Sequence, residues 1–401
     1  MTLVTELELP AFDYMDASMR GDRFHAAMSE VRSEGWLATG PFGYIVLDRE
    51  SAEFFLRSRA AIFPGMKIAE IFGVSEGPLY EQMKHNILHV NGPDHSRLRG
   101  LVNPALSQRA VERYRPAMRE FLQQLLAQAG TSCEFVEAFA KPYPSQVIAL
   151  VMGAPIEDAP RLHHWSNWIQ RQFDALSMAT ERDAIDTAVE EFYEYARDLV
   201  RSRRSSPRED LISRLIQAEE QGERLSDVEC INLVFNVLVG GVDTSQSQLA
   251  HAIRLLAEHP EQWALLEADP SLAGQAVEES LRYEPITPFT ARITTEDVEF
   301  RGVTFPKDTI VMVSAVTGNR ELEDGSGELF DITAQRQSAR ALTFGAGVHY
   351  CLGANLARTE LQEGLSFLSQ HMHGLELDGE PVYESVNGIY GLAELPIRFS
   401  A

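Results

Sequence analysis

The 401-residue chain is poor in several features that mark common protein classes. Its three cysteines, Cys133, Cys230 and Cys351, lie far apart and form no CxxC pair, so a disulfide framework is not predicted. Basic residues are also scarce, 35 against 59 acidic ones, which gives a formal net charge of −24. Because such a surface repels phosphates, nucleic acid and anionic membranes are not expected as partners.

Targeting and membrane-spanning segments are not predicted either. The first 14 residues contain no basic region followed by an apolar stretch, so no signal peptide is predicted. The most apolar run, 233–242, is about half the length that crosses a bilayer. Since there is also no repeat, low-complexity tract or long linker, we expect a single cytoplasmic domain over residues 1–401 with no membrane association.

Helical periodicity dominates what is present. Apolar residues recur at three- and four-residue spacings over 111–129 and again over 184–204, which predicts two amphipathic helices. Short runs typical of strands are fewer, and they cover 43–47, 298–300, 303–305 and 310–313. The predicted fold class is therefore mainly α with small β-sheets.

The longest predicted helix runs from Ser226 to the residue before Pro260. Ser226 and Glu229 form a capping box at its start, and the proline marks its end. At 1.5 Å per residue this helix is about 48 Å long. It is apolar on nearly all sides over 233–242, which predicts that it passes through the centre of a domain.

The middle of this central helix contains residues that disfavour a buried helix. Gly240 and Gly241 each cost about 1 kcal/mol relative to alanine, and Asp243 and Thr244 add the cost of burying polar groups. One interpretation is a kink that packing tolerates. The other is that a ligand approaches the backbone here and requires polar atoms beside it.

The strongest signal surrounds Cys351. Gly345, Gly347 and Gly353 lie within ten residues of sequence, and a helical pattern begins at Ala354. A thiol just before a helix N-terminus is stabilised as thiolate, and glycines leave room for a flat ligand. Three interpretations are open: a buried structural cysteine, a Cys–His nucleophile with His349, and an axial thiolate ligand to haem iron.

The segment 344–353 resembles the cysteine-ligand loop of the cytochrome P450 family, whose pattern is Phe-x-x-Gly-x-His-x-Cys-x-Gly. Five fixed positions at fixed spacing make this motif specific. The resemblance implies a cytochrome P450-like fold with a long central helix. It also implies haem b (iron protoporphyrin IX) as cofactor, with Cys351 as the ligand of its iron.

Further motifs follow in the order that the family shows. Residues 240–244 resemble the family's oxygen-activation motif, which implies that Thr244 hydrogen-bonds the oxygen or its water and that Asp243 connects it to a proton supply. Glu279 and Arg282 resemble the Glu-x-x-Arg motif, and Arg336 fits the third member of that structural ion-pair cluster.

Four cationic residues match the family's partners of the haem propionates. His95 and Arg99 share one face of a predicted helix, and Arg292 and His349 match the remaining two positions. Since haem brings two carboxylates into an acidic protein, fixed cations near them are expected.

The resemblance implies a monooxygenase that inserts one oxygen atom of O2 into a C–H or C=C bond of a lipophilic small molecule. Terpenoids, steroids, fatty acids, polyketides and aromatic compounds are all open as substrates. Because the sequence has no flavin or iron–sulfur pattern, we expect electrons from a ferredoxin and its reductase. Candidate docking arginines are Arg97, Arg109, Arg113 and Arg358.

Predicted pocket residues come from the helix face of Thr244 and from the family layout, and they are Asn236, Val239, Gly240, Pro288, Phe289, Ile389 and Tyr390. Asn236 is predicted to hydrogen-bond a substrate carbonyl or hydroxyl. An equally good interpretation is that it bonds the backbone of its own helix or of a neighbour.

Alternatives to a monooxygenase are a peroxide-driven peroxygenase of the same fold and a non-catalytic haem-binding sensor module. A peroxygenase does not need the acid–threonine pair, which this chain keeps at Asp243 and Thr244. A cysteine hydrolase is a third alternative, and a colourless purified protein would favour it.

Overall fold

Helices make up most of the chain in the computed structural model, which describes residues 2–220, 225–322, 325–336 and 340–400. The α-helices are α1 (Gly21–Glu34), α2 (Arg49–Arg57), α3 (Met66–Ile71), α4 (Pro78–His85), α5 (Gly92–Val102), α6 (Gln108–Val111), α7 (Arg115–Ala129), α8 (Pro142–Met152), α9 (Ala159–Gln170), α10 (Ala175–Thr180), α11 (Arg182–Ser205), α12 (Leu211–Glu220), α13 (Asp227–Gly241), α14 (Asp243–Glu258), α15 (Pro260–Ala268), α16 (Ala273–Tyr283), α17 (Ala315–Arg320) and α18 (Ala354–Ser369).

The β-strands are short. They are β1 (Thr2–Leu3), β2 (Leu37–Gly40), β3 (Gly43–Val46), β4 (Ala61–Ile62), β5 (Ser132–Glu134), β6 (Phe289–Thr294), β7 (Val298–Phe300), β8 (Val303–Phe305), β9 (Ile310–Ser314), β10 (His373–Leu377), β11 (Val382–Tyr383), β12 (Leu392–Glu394) and β13 (Pro396–Ser400). The mainly α fold class with small sheets is therefore confirmed.

The chain forms two compact units. The first, which we call the sheet unit, comprises Met1–Pro64, Glu278–Cys351 and Tyr383–Gly391. The second, the helical unit, comprises the rest of the chain. The single domain over 1–401 stays a prediction.

The sheet unit contains a five-stranded sheet in the order β2-β3-β9-β6-β4 and a three-stranded sheet in the order β1-β8-β7. In the larger sheet β3 runs parallel to β9, and the other pairs are antiparallel. Phe55 and Phe305 are fully buried in the core that these strands enclose. All four strands predicted from the sequence are formed in this unit.

The hairpin of β7 and β8 shows how its turn is specified. Arg301 and Gly302 connect the two strands with φ angles of 50° and 77°. Two central residues with positive φ give a turn whose twist matches the twist of the strands. Phe300 and Val303 face each other across the turn, as the alternating sequence pattern predicts.

The helical unit is a bundle with a small sheet in the order β10-β13-β5. Helices α8 and α9 pack on α13 and α14, and α7 packs on α18. The predicted central helix is formed as α13 and α14, which meet at Val242. Its capping box is present, because Ser226 Oγ accepts the Glu229 N–H and the Glu229 carboxylate accepts the Ser226 N–H.

One span in the described part of the chain, Asp227–Glu258, is long and apolar enough to cross a membrane by length and composition alone. Of its most apolar window, 67% is buried inside the protein. This burial is typical of a core helix, which passes the same test.

Candidate active site

Cys351 ends a loop of the sheet unit whose shape depends on two glycines. Gly345 and Gly347 have φ angles of 67° and 72°, a conformation that strongly favours glycine. A Cβ on Gly347 would also lie 2.6 Å from the Leu56 carbonyl oxygen. The Cys351 N–H donates to the Phe344 carbonyl at 2.9 Å and closes the loop. The backbone therefore fixes where the cysteine lies.

Gly353, the third glycine of this motif, is different. Its φ angle is −84°, which any residue adopts. The backbone conformation at Gly353 therefore does not require glycine. Helix α18 begins at the next residue, Ala354, as the sequence predicts.

The other two thiols have environments that do not suit a thiolate ligand. Burial, and then the charge of Glu134, raise the pKa of Cys133 to about 11, so this thiol stays protonated at neutral pH. Cys230 is completely buried in the helical unit. Cys351 is only half-buried and is the one cysteine in a glycine-shaped loop.

Arg292 is a buried cation on β6 in the same unit as Cys351. Its side chain is 3% exposed, and its Nη1 donates to the Ala291 carbonyl at 2.9 Å. Burial lowers its pKa to about 10. Among the residues that the structure describes, no carboxylate forms an ion pair with it. Since an unpaired buried charge is costly, this guanidinium indicates an anion supplied from outside the described chain.

His349, the other predicted propionate partner in the sheet unit, is in the short 3₁₀ turn that precedes Cys351. Its ring lies 6.4 Å from the ring of Phe63, centroid to centroid. The turn therefore sets the backbone position of His349, and Phe63 is a neighbouring ring of the same unit.

The buried acid Glu279 joins two arginines in the sheet unit. Arg282 forms two hydrogen bonds of 2.8 Å with its carboxylate, and Arg336 forms bonds of 3.0 and 3.1 Å. Both arginines also donate to the Leu329 carbonyl. The cluster predicted from the sequence is thus formed, and it ties the segment 325–336 to α16.

His95 and Arg99 lie one turn apart on α5 in the helical unit. His95 is 4% exposed, and its pKa is lowered first by burial and then by the positive charge of Arg99. An anion beside both groups would favour the protonated imidazole. Between these residues Arg97 points to Glu229, with which it forms an ion pair.

The two central-helix glycines have different roles. A Cβ on Gly241 would lie 2.2 Å from the side chain of Ile148, so this glycine allows α8 to pack closely. A Cβ on Gly240 would meet nothing within 4 Å. The Thr244 hydroxyl donates to the Gly240 carbonyl at 2.7 Å. Gly241 thus fits the packing interpretation, and Gly240 leaves the open backbone position that the ligand interpretation requires; the ligand itself stays a prediction.

Asp243 is buried beside Thr244, with 5% of its surface exposed. Its carboxylate accepts a hydrogen bond from the Ser166 hydroxyl and one of 3.4 Å from the Asn167 amide. Burial raises its pKa, and the Ser166 bond and the nearby His163 act in the opposite direction. A carboxyl group with a raised pKa can hold and release a proton closer to neutral pH.

Asn236 was predicted to bond either a substrate or the backbone of its own helix or a neighbour. Its Nδ2 donates to the Asn232 carbonyl at 2.6 Å, which is the bond to its own helix that the alternative interpretation describes. Val239 is buried and Gly240 exposed on the same helix.

The four pocket candidates in the sheet unit are buried or half-buried. Pro288 is buried, and Phe289 and Ile389 are half-buried. Tyr390 is fully buried, and its hydroxyl accepts the Gly21 N–H at 2.8 Å. Its ring also lies 5.8 Å from that of Phe24. Tyr390 therefore has the contacts of a core residue.

The sequence analysis missed two groups of residues. Ser166, Asn167 and His163 are polar positions on α9, and only their spacing of three and four residues along one face of the helix could have marked them. Glu360 on α18 is also buried, accepts a 2.8 Å bond from Ser245, and has its pKa raised by burial to about 8. No sequence signal distinguishes it from a surface acid.

Comparisons with known proteins agree with this arrangement. The family model of Cytochrome P450 matches residues 45–269 and 271–373. Luteothin monooxygenase of Streptomyces thioluteus is 32% identical over 98% of this chain and 97% of its own length. Mycinamicin IV hydroxylase/epoxidase of Micromonospora griseorubida is 36% identical over 74% of this chain and 75% of its own length.

A solved structure shows the same fold. The crystal structure of CalO2 matches with a TM-score of 0.90 at 31% identity, over 98% of this chain and 99% of that one. The long central helix and the small sheets agree with this likeness. The chain belongs to the cytochrome P450 family and is one of its bacterial monooxygenases.

Proposed function

We propose that the Cys351 thiolate would hold the iron of haem b in this monooxygenase, which inserts one atom of O2 into a C–H or C=C bond of a lipophilic small molecule. The observation that carries the proposal is the loop around Cys351. Its two positive-φ glycines, the contact of Gly347 with Leu56, and the closing bond to Phe344 hold a half-buried thiol in one position.

The charged residues fit a cofactor that carries two carboxylates. Arg292 is a buried guanidinium with no acid partner among the described residues, and a propionate would supply the missing anion. We assign His349, His95 and Arg99 to the same task. When bound, haem supplies the redox chemistry. The chain supplies its ligand, its cationic partners and the route for protons.

The residues of the central helix suit oxygen activation. Gly240 leaves open space beside its backbone. The Thr244 hydroxyl donates a hydrogen bond to the Gly240 carbonyl. A hydroxyl can donate and accept at the same time, so Thr244 can hold an oxygen species while it keeps its bond to the helix. We assign Asp243, which is buried and has a raised pKa, to hold the proton that is delivered next to Thr244.

The substrate pocket is proposed from apolar residues with one polar group. Val239, Gly240, Pro288, Phe289 and Ile389 suit a lipophilic molecule, with Tyr390 supporting them from the core. The Asn236 amide nitrogen is occupied by its own helix, so its side-chain oxygen is the atom left to accept a hydrogen bond from a substrate hydroxyl. Terpenoid, steroid, fatty acid, polyketide and aromatic substrates all satisfy this description.

Electrons are proposed to come from a ferredoxin with its reductase in the cytoplasm. Of the candidate docking arginines, Arg109 on α6 is exposed, and α6 packs on α18, which carries Arg358. Arg97 and Arg113 are engaged with Glu229 and Tyr114 and contribute less. Because exposed charges are screened by salt, reduction should slow at high ionic strength.

The test uses labelled oxygen. The haem-loaded protein is first screened with lipophilic compounds by the change in the haem spectrum. It is then turned over on a binding compound with a surrogate ferredoxin, its reductase and ¹⁸O2. We expect one labelled oxygen atom per product molecule. Label-free product formed from peroxide alone would favour a peroxygenase, and binding without any turnover would favour a sensor.

A further inference from the structure

A polar cluster on α9 surrounds the buried carboxylate of Asp243. Ser166 is 0% exposed and donates to one carboxylate oxygen, and Asn167 donates to the other. One turn earlier, the His163 ring nitrogen Nε2 lies 3.0 Å from the side-chain oxygen of Gln246. Residues 163, 166 and 167 share one helix face, because they are three and four positions apart.

Exposure changes along this cluster. Asp243 and Ser166 are buried, whereas His163 and Asn167 are half-buried. The Asn167 bond therefore connects a helix edge that solvent reaches to the buried Asp243 carboxylate, and His163 lies on the same edge. His163 is the titratable group whose charge acts on Asp243.

Thr244 cannot bring protons in through the bond that it makes here. Its hydroxyl hydrogen is directed to the Gly240 carbonyl within its own helix. A neighbouring acid is therefore the group on this helix that can deliver a proton to the Thr244 position. Asp243 is adjacent in sequence, and its bonded hydroxyl partner is Ser166.

We propose that protons reach Asp243 from the side of α9 and that Ser166 passes them to its carboxylate. This inference rests on the proposed role of Asp243 in oxygen activation. In this step the Asp243 carboxylate takes the Ser166 hydroxyl proton. Ser166 regains a proton from a hydronium ion admitted at the edge of His163 and Asn167. The net change is that the hydronium ion becomes water and the Asp243 carboxylate becomes a neutral carboxylic acid. Ser166 is unchanged at the end of the step.

The test compares Ser166→Ala with Ser166→Thr, which keeps a hydroxyl, and with Ser145→Ala. Ser145 is a matched control because it is a buried helical serine of the same unit whose hydroxyl bonds its own helix at Lys141. Each haem-loaded variant is driven by NADH, a surrogate ferredoxin and its reductase in H2O and D2O, without substrate. The measurements are the solvent isotope effect on NADH consumption and the peroxide released per NADH.

We expect the isotope effect to rise about twofold or more in Ser166→Ala, since a proton-transfer step becomes slower, and peroxide release to increase. Ser166→Thr and Ser145→Ala should match the wild type. Infrared difference spectra against Asp243→Asn identify the Asp243 carboxyl band, which should shift in Ser166→Ala and not in Ser145→Ala.

Ser166→Ala values equal to those of Ser145→Ala would overturn the inference, provided that Asp243→Asn itself changes the isotope effect and the peroxide yield. If Asp243→Asn changes neither, the proposed role of Asp243 in oxygen activation fails, and this inference fails with it. The two failures are thus distinguishable.

Discussion

The Cys351 loop and the Asp243 region are built in different ways. The loop is held by its backbone, through two positive-φ glycines and one N–H to carbonyl bond within eight residues of sequence. Asp243 is held by side chains from α9, 76 and 77 residues away in sequence. A backbone-shaped site leaves a motif in the sequence, whereas a site made by side chains of distant helices leaves almost none.

We therefore expect mutations in the Cys351 loop and mutations near Asp243 to have different effects. Changes to the backbone of the Cys351 loop or to the Glu279 cluster should act mainly on folding stability. Changes around Asp243 and Thr244 should act mainly on pH dependence and on how electrons are used.

The largest loss of stability is expected for Glu279→Ala. This change leaves the guanidinium groups of Arg282 and Arg336 without their acid, which typically costs about 3–5 kcal/mol. Urea unfolding of the variant measures the loss. Glu278→Ala, an exposed acid on the same helix, is the control and should change stability by less than about 0.5 kcal/mol. Equal effects of the two variants would contradict a buried cluster.

Glu360 should make stability depend on pH. Its pKa is about 8 when folded against an ordinary value of 4.5, so the folded protein binds the proton more tightly. The associated stability is complete below pH 4.5 and is lost as pH rises toward 8. Between pH 5 and 7 the wild type should lose about 2–3 kcal/mol more than Glu360→Gln. Parallel pH profiles of the two proteins would show that Glu360 is not buried as described.

Gly347→Ala should cost more than Gly345→Ala. Both place a Cβ at positive φ, which costs about 1 kcal/mol or more. Only at position 347 does that Cβ also meet backbone, the Leu56 carbonyl, so we expect about 2 kcal/mol there and a lower haem content. Unfolding curves and haem-to-protein ratios measure both effects. If Gly345→Ala were the more damaging variant, the loop geometry described here would be wrong.

The smallest stability change, within about 0.5 kcal/mol, is expected for Thr244→Ala. Its effect should appear instead in coupling, with less product and more peroxide or excess water per electron consumed. Thr187→Ala is the matched control, because that hydroxyl also bonds the carbonyl four residues earlier but lies on α11. Unchanged product per electron in Thr244→Ala would exclude the assigned role.

The sequence predicted the parts of the molecule that local patterns specify. The β7–β8 hairpin, the Ser226 capping box and the cluster of Glu279, Arg282 and Arg336 all follow from short-range spacing or from a specific motif. The break at Val242 was expected only as a kink or a ligand groove. That Gly241 serves packing and Gly240 open space depends on Ile148 of α8, a contact that a single sequence does not reveal.

The remaining differences have the same physical cause. Tyr390 was predicted from the sequence to line the pocket, but its contacts with the Gly21 backbone and the Phe24 ring are those of a core residue. Asn236 bonds its own helix, one of two options that the sequence left equal. The partners of Asp243 and the burial of Glu360 arise from helix packing, which places residues together that no spacing rule connects.

The most direct test of the central claim is the ferrous carbon monoxide difference spectrum of three single variants, Cys351→Ser, Cys230→Ser and Cys133→Ser, beside the wild type. The carbon monoxide spectrum reports whether a thiolate is the opposite ligand of the haem iron. We predict that Cys351→Ser alone loses the thiolate-type band, while the other two variants keep it. A thiolate-type band that persists in Cys351→Ser would contradict the account.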